Sequence, residues 1–264
     1  MKTEQAKKIA EEALTELMED LDKGKSERLM KYLGVMAQFH NYSVSNQILI
    51  SMQRPEASHV AGYRKWKTLG RQVKKGEKGI AILAPILYRK STDSDDEEKL
   101  VAFKTAYVFD INQTEGKELP DFARVGGAPV GYIERLKEYI QQQGIILKYT
   151  NTLGGAEGVS YGDVIKVKKG LAPAADFSVL VHELGHWFLH KNPHNYPSDR
   201  KVRETEAEAV AFVVCRAAGL DTNTAASDYI QLYRGDRKTL LDSLERIQKA
   251  ASTIICGIMT QKEH

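Results

Sequence analysis

Val181-His182-Glu183-Leu184-Gly185-His186-Trp187 decides how the second half of this chain is read. The stretch contains His-Glu-x-x-His, and the spacing predicts a helix beginning at 175 or 176 and running to about 191. Helical positions four apart share a face, so His182 and His186 can turn two imidazoles toward one ion. Glu183 lies one step round, within reach of a water on that ion. Two nitrogen ligands, an open position and a general base are the parts of a zinc hydrolase. The bland alternative is a helix that carries two surface histidines.

A catalytic zinc usually takes three protein ligands. His190 is eight residues from His182, about 12 Å along a straight helix, so it does not easily share the ion. His194 sits in a proline-flanked loop without the glycine of an elongated zinc pattern. The acids of residues 203–214, RETEAEAVAFVV, are better placed. Glu206 has Val210 and Val213 at plus four and plus seven, which puts it on the apolar side, where a carboxylate needs a partner. Glu206 is therefore the expected third ligand. Glu204 and Glu208 flank it, where they would hydrogen-bond the ligating residues. The alternative is three acids facing water near a helix N-terminus. Residues 159–167, VSYGDVIKV, predict a hairpin turning at Gly162-Asp163. It is an edge on which an extended peptide could add as a strand.

The chain has 264 residues, 42% hydrophobic and 28% charged, with a net charge of +3. That suits an ordinary soluble globular protein of one large or two modest domains. Cys215 and Cys256 are too few for a disulfide framework and read as reduced thiols. The N-terminus is charged and amphipathic, unlike a signal peptide. No apolar run reaches the roughly 18 residues of a membrane span. A cytoplasmic location without membrane attachment is the expectation.

Helical spacing predicts helices over 3–21, 26–39 and 46–52, the last capped by Ser43 or Ser45. Between 54 and 90 there are ten Lys or Arg against two acids, with Tyr63 and Trp66 among them. Such a stretch suits single-stranded nucleic acid, where cations follow phosphates and rings stack on bases. On composition alone a solvated lysine-rich surface with the rings in the core is the favoured reading. Residues 80–87 and 100–110 predict a long hairpin around the acidic loop 91–99. Residues 111–129, polar with Pro120, Gly126, Gly127 and Pro129, read as a boundary. Helices are expected over 130–143, 199–218, 224–232 and 237–259, and a strand over 145–150. The expected fold class is α+β in two domains: 1–118, a linker at 119–128, and 129–264.

Two regions carry a resemblance. Asn41-Tyr42-Ser43-Val44-Ser45-Asn46-Gln47-Ile48-Leu49 with Gln53-Arg54-Pro55, then Val60-Ala61-Gly62-Tyr63-Arg64-Lys65-Trp66 and residues 70–80, resemble the N-terminal domain of ArdC-type antirestriction proteins. Residues 108–114, VFDINQT, look like that domain's closing motif. His182-Glu183-Leu184-Gly185-His186 with Glu206-Ala207-Glu208 is similar to the family's zincin-like metallopeptidase domain, itself similar to IrrE/ImmA-type regulators. The resemblance implies a helical and β-hairpin domain that binds single-stranded DNA, joined to a peptidase-like domain. It further implies a plasmid or other mobile element that uses the protein in conjugation to shield incoming DNA from host restriction. Arg64, Lys65, Trp66, Arg71, Lys74, Lys75 and Lys78 become the implied DNA contacts. Zn2+, or another divalent metal such as Mn2+, is the implied cofactor, and a protein substrate is a further implied partner. The alternative is a regulatory metallopeptidase that cleaves a repressor.

Overall fold

The structure, a computed structural model, describes residues 1–89, 98–118, 130–191, 199–220 and 237–259. The expected linker at 119–128, the loop around His194, the helix expected at 224–232 and most of the acidic loop lie outside the described residues. The fold is α+β. Two compact units divide it: Met1–Glu16 with Tyr42–Pro120, and Leu17–Asn41 with Asp121–His264. A single break at 119–128 therefore does not describe the packing, because residues 17–41 belong with the second unit. No helix among the described residues is long and apolar enough to cross a membrane.

The first unit is built on strands β1 (Val60–Gly62), β3 (Ile80–Arg89) and β4 (Glu98–Asp110), in the order β1-β4-β3. β3 and β4 form the long antiparallel hairpin, with Ile80 opposite Val108. β3 is the outer strand, and helix α3 (Val44–Gln53) lies along its edge. The Asn46 amide donates to Leu83 O and accepts from Leu83 N, at 2.9 and 2.8 Å. The Gln53 amide makes the same pair with Ala81, at 2.8 and 2.9 Å. Seven residues are about two helical turns, so both amides face the strand. They take the place of a neighbouring strand and close an edge that could otherwise pair with another chain. Ser43 caps α3, its hydroxyl accepting from Asn46 N.

A short helix, α4 (Tyr63–Thr68), follows β1 directly and was not foreseen in the basic stretch. Six residues are too few for a periodic signal to register. Strands β2 (Arg71–Val73) and β5 (Thr114–Gly116) pair antiparallel beyond it. A buried polar hub ties these segments together. Asp110, fully buried, accepts from the backbone N–H of Ser58, His59 and Asn112. Gln113, 1% exposed, accepts from Asp110 N and donates to Glu77 and to Lys78 O. Buried polar groups persist only when so satisfied.

The second unit contains the latter part of helix α1 (Thr3–Asp22), helices α2 (Glu27–Gln38), α5 (Val130–Gln142), α6 (Pro173–His190), α7 (Arg200–Ala217) and α8 (Arg237–Met259), and strands β6 (Ile146–Thr150), β7 (Gly158–Tyr161) and β8 (Val164–Lys168). The sheet order is β6-β8-β7; β6 runs parallel to β8 and β7 antiparallel to it. Gly162, at φ 54°, makes the hairpin turn where an L-residue with a Cβ is disfavoured. Pro173 opens α6 at its first turn. Phe177, Leu180, Val181 and Leu184 are fully buried, the i, i+3, i+4, i+7 stripe of a core helix. α6 packs on α7, drawn close where Gly185 faces Ala207. α2 packs on α7 through a stripe in which Leu29, Leu33 and Met36 are fully buried, which is why residues 17–41 go with this unit.

Candidate functional site

α6 holds His182 and His186 one turn apart, their Nε2 atoms 3.1 Å from each other. Glu204 of α7 completes a triangle: its Oε2 is 3.3 Å from His186 Nε2 and 3.7 Å from His182 Nε2. In a tetrahedral site with bonds of about 2.1 Å, ligand atoms lie about 3.4 Å apart. The three edges match that size. Two imidazoles and a carboxylate also form a donor set that suits Zn2+ and Mn2+ alike. Among the described residues, these three can hold a metal ion.

The expected third ligand requires correction. Glu206 is fully buried and turns away from the two histidines. Its Oε1 accepts from Ser243 (2.8 Å) and from the Arg246 guanidinium of α8, and its Oε2 lies 3.1 Å from His190 Nε2. Two residues along a helix are about 200° apart, so Glu204 and Glu206 cannot share a face. Buried as it is, Glu206 has the partners that a carboxylate on an apolar face needs. Ser243 and Arg246 come from α8, some 40 positions on, where no sequence spacing points. Glu204, expected to flank the ligating residues, is the acid that meets the two histidines. Glu208 lines the same cleft. His190, set aside as a ligand on helix geometry, bridges His186 and Glu206.

These groups perturb one another. Burial pushes the His182 imidazolium down, but Glu204, Glu183 and Glu208 outweigh it and hold its pKa above the usual value. Burial, then the neighbouring His182 charge, takes His186 down to about 4. Hydrogen bonding from His182, with help from His186, takes Glu204 down to about 2. Glu204 is thus held as a carboxylate and His186 as a neutral imidazole, the forms that bind metal, whereas His182 must give up its proton to do so. Glu183 is 6% exposed and burial raises its pKa, against hydrogen bonds from Ser160.

Glu183 packs against β7 beside a cleft of about 870 Å³. β7 is the sheet's outer strand, and its residues 158–161 line that cleft beside the histidines. A Cβ at Gly158 would lie 2.7 Å from Glu183 Oε1 and 2.6 Å from Val179, so only glycine lets the strand come this close. Asp163, in the hairpin turn, accepts from Trp187 Nε1 (3.0 Å) and Lys191 Nζ (2.8 Å), fastening the turn to α6.

In the first unit, Arg64, Lys65, Lys74, Lys75 and Lys78 are exposed, as expected for contacts with a polyanion. Trp66 is not. It is 2% exposed and donates its indole N–H to Phe109 O at 2.8 Å, so it is core and cannot stack on a base. Tyr63, three positions back on α4, is 50% exposed. Arg71 directs its guanidinium at Thr114 and Lys117 O, holding β2 to β5. The loop bearing Lys74 to Lys78 hangs on the polar hub, since Lys74 N donates to Gln113 O and Gln113 donates to Lys78 O.

The architecture is thus an α+β protein with a first unit that carries the basic stretch 54–90 and a second unit that presents two histidines and a carboxylate beside a buried glutamate. Residues 7–118 match the N-terminal domain of anti-restriction factor ArdC. That match covers the N-terminal part of the chain, less than half of its length. It is 26% identical, over 306 aligned positions, to an uncharacterised protein of Bacillus anthracis, with 96% of this chain and 51% of that protein covered. The chain spans about half the length of that curated relative. Its fold is similar to crystal structures of the antirestriction protein ArdC from plasmid R388, both 19% identical. The metal-free form gives a TM-score of 0.54 and the Mn(II)-bound form 0.52, covering 97% of this chain and 99% of those chains.

Proposed function

We propose that this protein is an antirestriction factor of a mobile element that binds single-stranded DNA through its first unit and carries a metal-dependent, peptidase-like site in its second. The match of residues 7–118 to the ArdC N-terminal domain carries the antirestriction reading. The DNA surface is the exposed set Arg64, Lys65, Lys74, Lys75 and Lys78, with Tyr63 as the stacking ring. Arg71 and Trp66 hold that surface in shape rather than touch the strand. The location is cytoplasmic, where incoming DNA meets restriction enzymes.

In the second unit, His182, His186 and Glu204 are the ligands, and the size of their triangle supports that reading. A divalent cation held there would supply an acidified water and polarise a carbonyl. Glu183 is the general base: its carboxylate, buried beside the cleft, takes a proton from the attacking water and returns it to the leaving amine. The outer edge of β7 aligns an extended peptide by strand addition. Gly158 keeps that edge within reach of Glu183.

A Glu183→Gln protein tests how the two halves combine. The expected outcome is retained metal and retained single-stranded DNA binding, with peptide hydrolysis abolished. If protection against restriction survives in this variant, coating of the strand suffices for it. If protection is lost with DNA binding intact, hydrolysis is part of the mechanism, as in a regulatory metallopeptidase acting on a protein. A protein that fails to bind single-stranded DNA at low salt overturns the first half of the reading.

A further inference from the structure

Behind the candidate ligands runs a chain of polar groups that the hydrolytic reading does not use. His186 Nδ1 lies 3.1 Å from His190 Nδ1, and His190 Nε2 lies 3.1 Å from Glu206 Oε2. Glu206 is fully buried, and its other oxygen accepts from Ser243 and Arg246. The His190 side chain is 8% exposed. The chain passes from α6 through α7 to α8.

The donors can be ordered. Glu206, fixed by Arg246 and Ser243, is a carboxylate and can only accept. His190 therefore donates from Nε2, and a neutral His190 has a lone pair at Nδ1. That atom accepts from His186 Nδ1, which must then bear the proton, leaving a lone pair at His186 Nε2. Without His190 the preference would reverse, because Glu204 Oε2, 3.3 Å from His186 Nε2, favours a proton there. A proton at Nε2 would block the triangle.

We propose that His190, anchored by Glu206, is a positioning residue that holds His186 in its Nδ1–H tautomer and keeps the Nε2 lone pair turned to His182 and Glu204 for a divalent cation. The inference rests on the metal reading of that triangle, although the tautomer exists with or without a cation. Outer hydrogen-bond partners of ligating histidines typically change metal affinity about 10- to 100-fold. Here the partner is a second histidine, interposed between ligand and carboxylate. His190 is thus neither a bystander on the helix surface nor a fourth ligand.

The test uses the full chain and two readouts. Long-range 1H–15N correlation spectra of the metal-free protein at about pH 8 report which nitrogen of His186 carries the proton. The expected result is Nδ1–H in the wild type and a shift to Nε2–H in His190→Leu, with His190→Gln, which can accept and donate in the same places, restoring Nδ1–H. Competition titration with Mn2+ and Zn2+ should show affinity falling roughly 10- to 100-fold in His190→Leu and recovering in His190→Gln. His186 protonated at Nε2 in the wild type, or an unchanged tautomer in His190→Leu, overturns the proposal; the wild-type spectrum decides even if His190→Leu does not fold. A wild type that shows the Nδ1–H tautomer but binds neither metal overturns the metal reading and leaves the positioning relay standing.

Discussion

Glu204 Oε2 lies 3.3 Å from His186 Nε2, although Glu206 is the acid that the apolar face of α7 buries. The two glutamates should therefore fail in opposite ways. Glu204→Gln should lower metal affinity by more than the roughly 10- to 100-fold that outer partners contribute, with the metal-free protein melting near the wild-type temperature. Glu206→Gln should keep most metal affinity, because the amide oxygen can still accept from His190. It should lower stability by about 1–3 kcal/mol through the Arg246 and Ser243 bonds it weakens. Competition titration and thermal unfolding measure the pair.

Glu206 also sets a pH dependence. Burial raises its pKa, but His190, Arg246 and Ser243 outweigh burial and bring it below the ordinary 4.5. A depressed carboxylate stabilises the fold fully above its unfolded value, and that stability is lost as pH falls through the folded value. Urea midpoints should therefore drop as pH is lowered below about 4.5, and Glu206→Gln should lack that part of the slope.

Gly158→Ala should impair hydrolysis without removing the metal. The added methyl meets Val179 and the Glu183 carboxylate at 2.6 and 2.7 Å and must push strand or base aside. Overpacking of this kind costs about 1–3 kcal/mol. Peptide turnover should fall while metal affinity stays within a few-fold of wild type. Equal turnover would mean that the β7 edge does not position the base.

On the first unit, Tyr63 and Trp66 should part company. Trp66→Ala removes a core ring and should cost about 3–5 kcal/mol of stability. Tyr63→Ala should leave the melting temperature nearly unchanged and weaken single-stranded DNA binding by about 1–3 kcal/mol. Replacing Lys74 and Lys75 together by Ala should weaken binding across sequences and flatten its salt dependence. Fluorescence anisotropy with an oligonucleotide across a salt series gives both answers.

Local patterns made much of this protein legible. The i, i+4 histidines and Glu183 are spaced by the helix itself, and the β3–β4 hairpin and the Gly162-Asp163 turn follow from alternation and turn chemistry. α4 was missed because six residues carry too short a signal. The grouping of residues 17–41 with the second unit was missed because an apolar stripe says that a helix is buried, not against what.

The sequence by itself determined that two imidazoles and a carboxylate share one helix, and that an acid from the next helix belongs near them. Only the tertiary structure decided which acid. α7 meets α6 where Gly185 faces Ala207, and in that packing Glu204 turns to the histidines and Glu206 to Arg246. Trp66 was decided in the same way: amphipathic rings suit both core and surface, and the Phe109 carbonyl that receives its N–H lies 43 residues away.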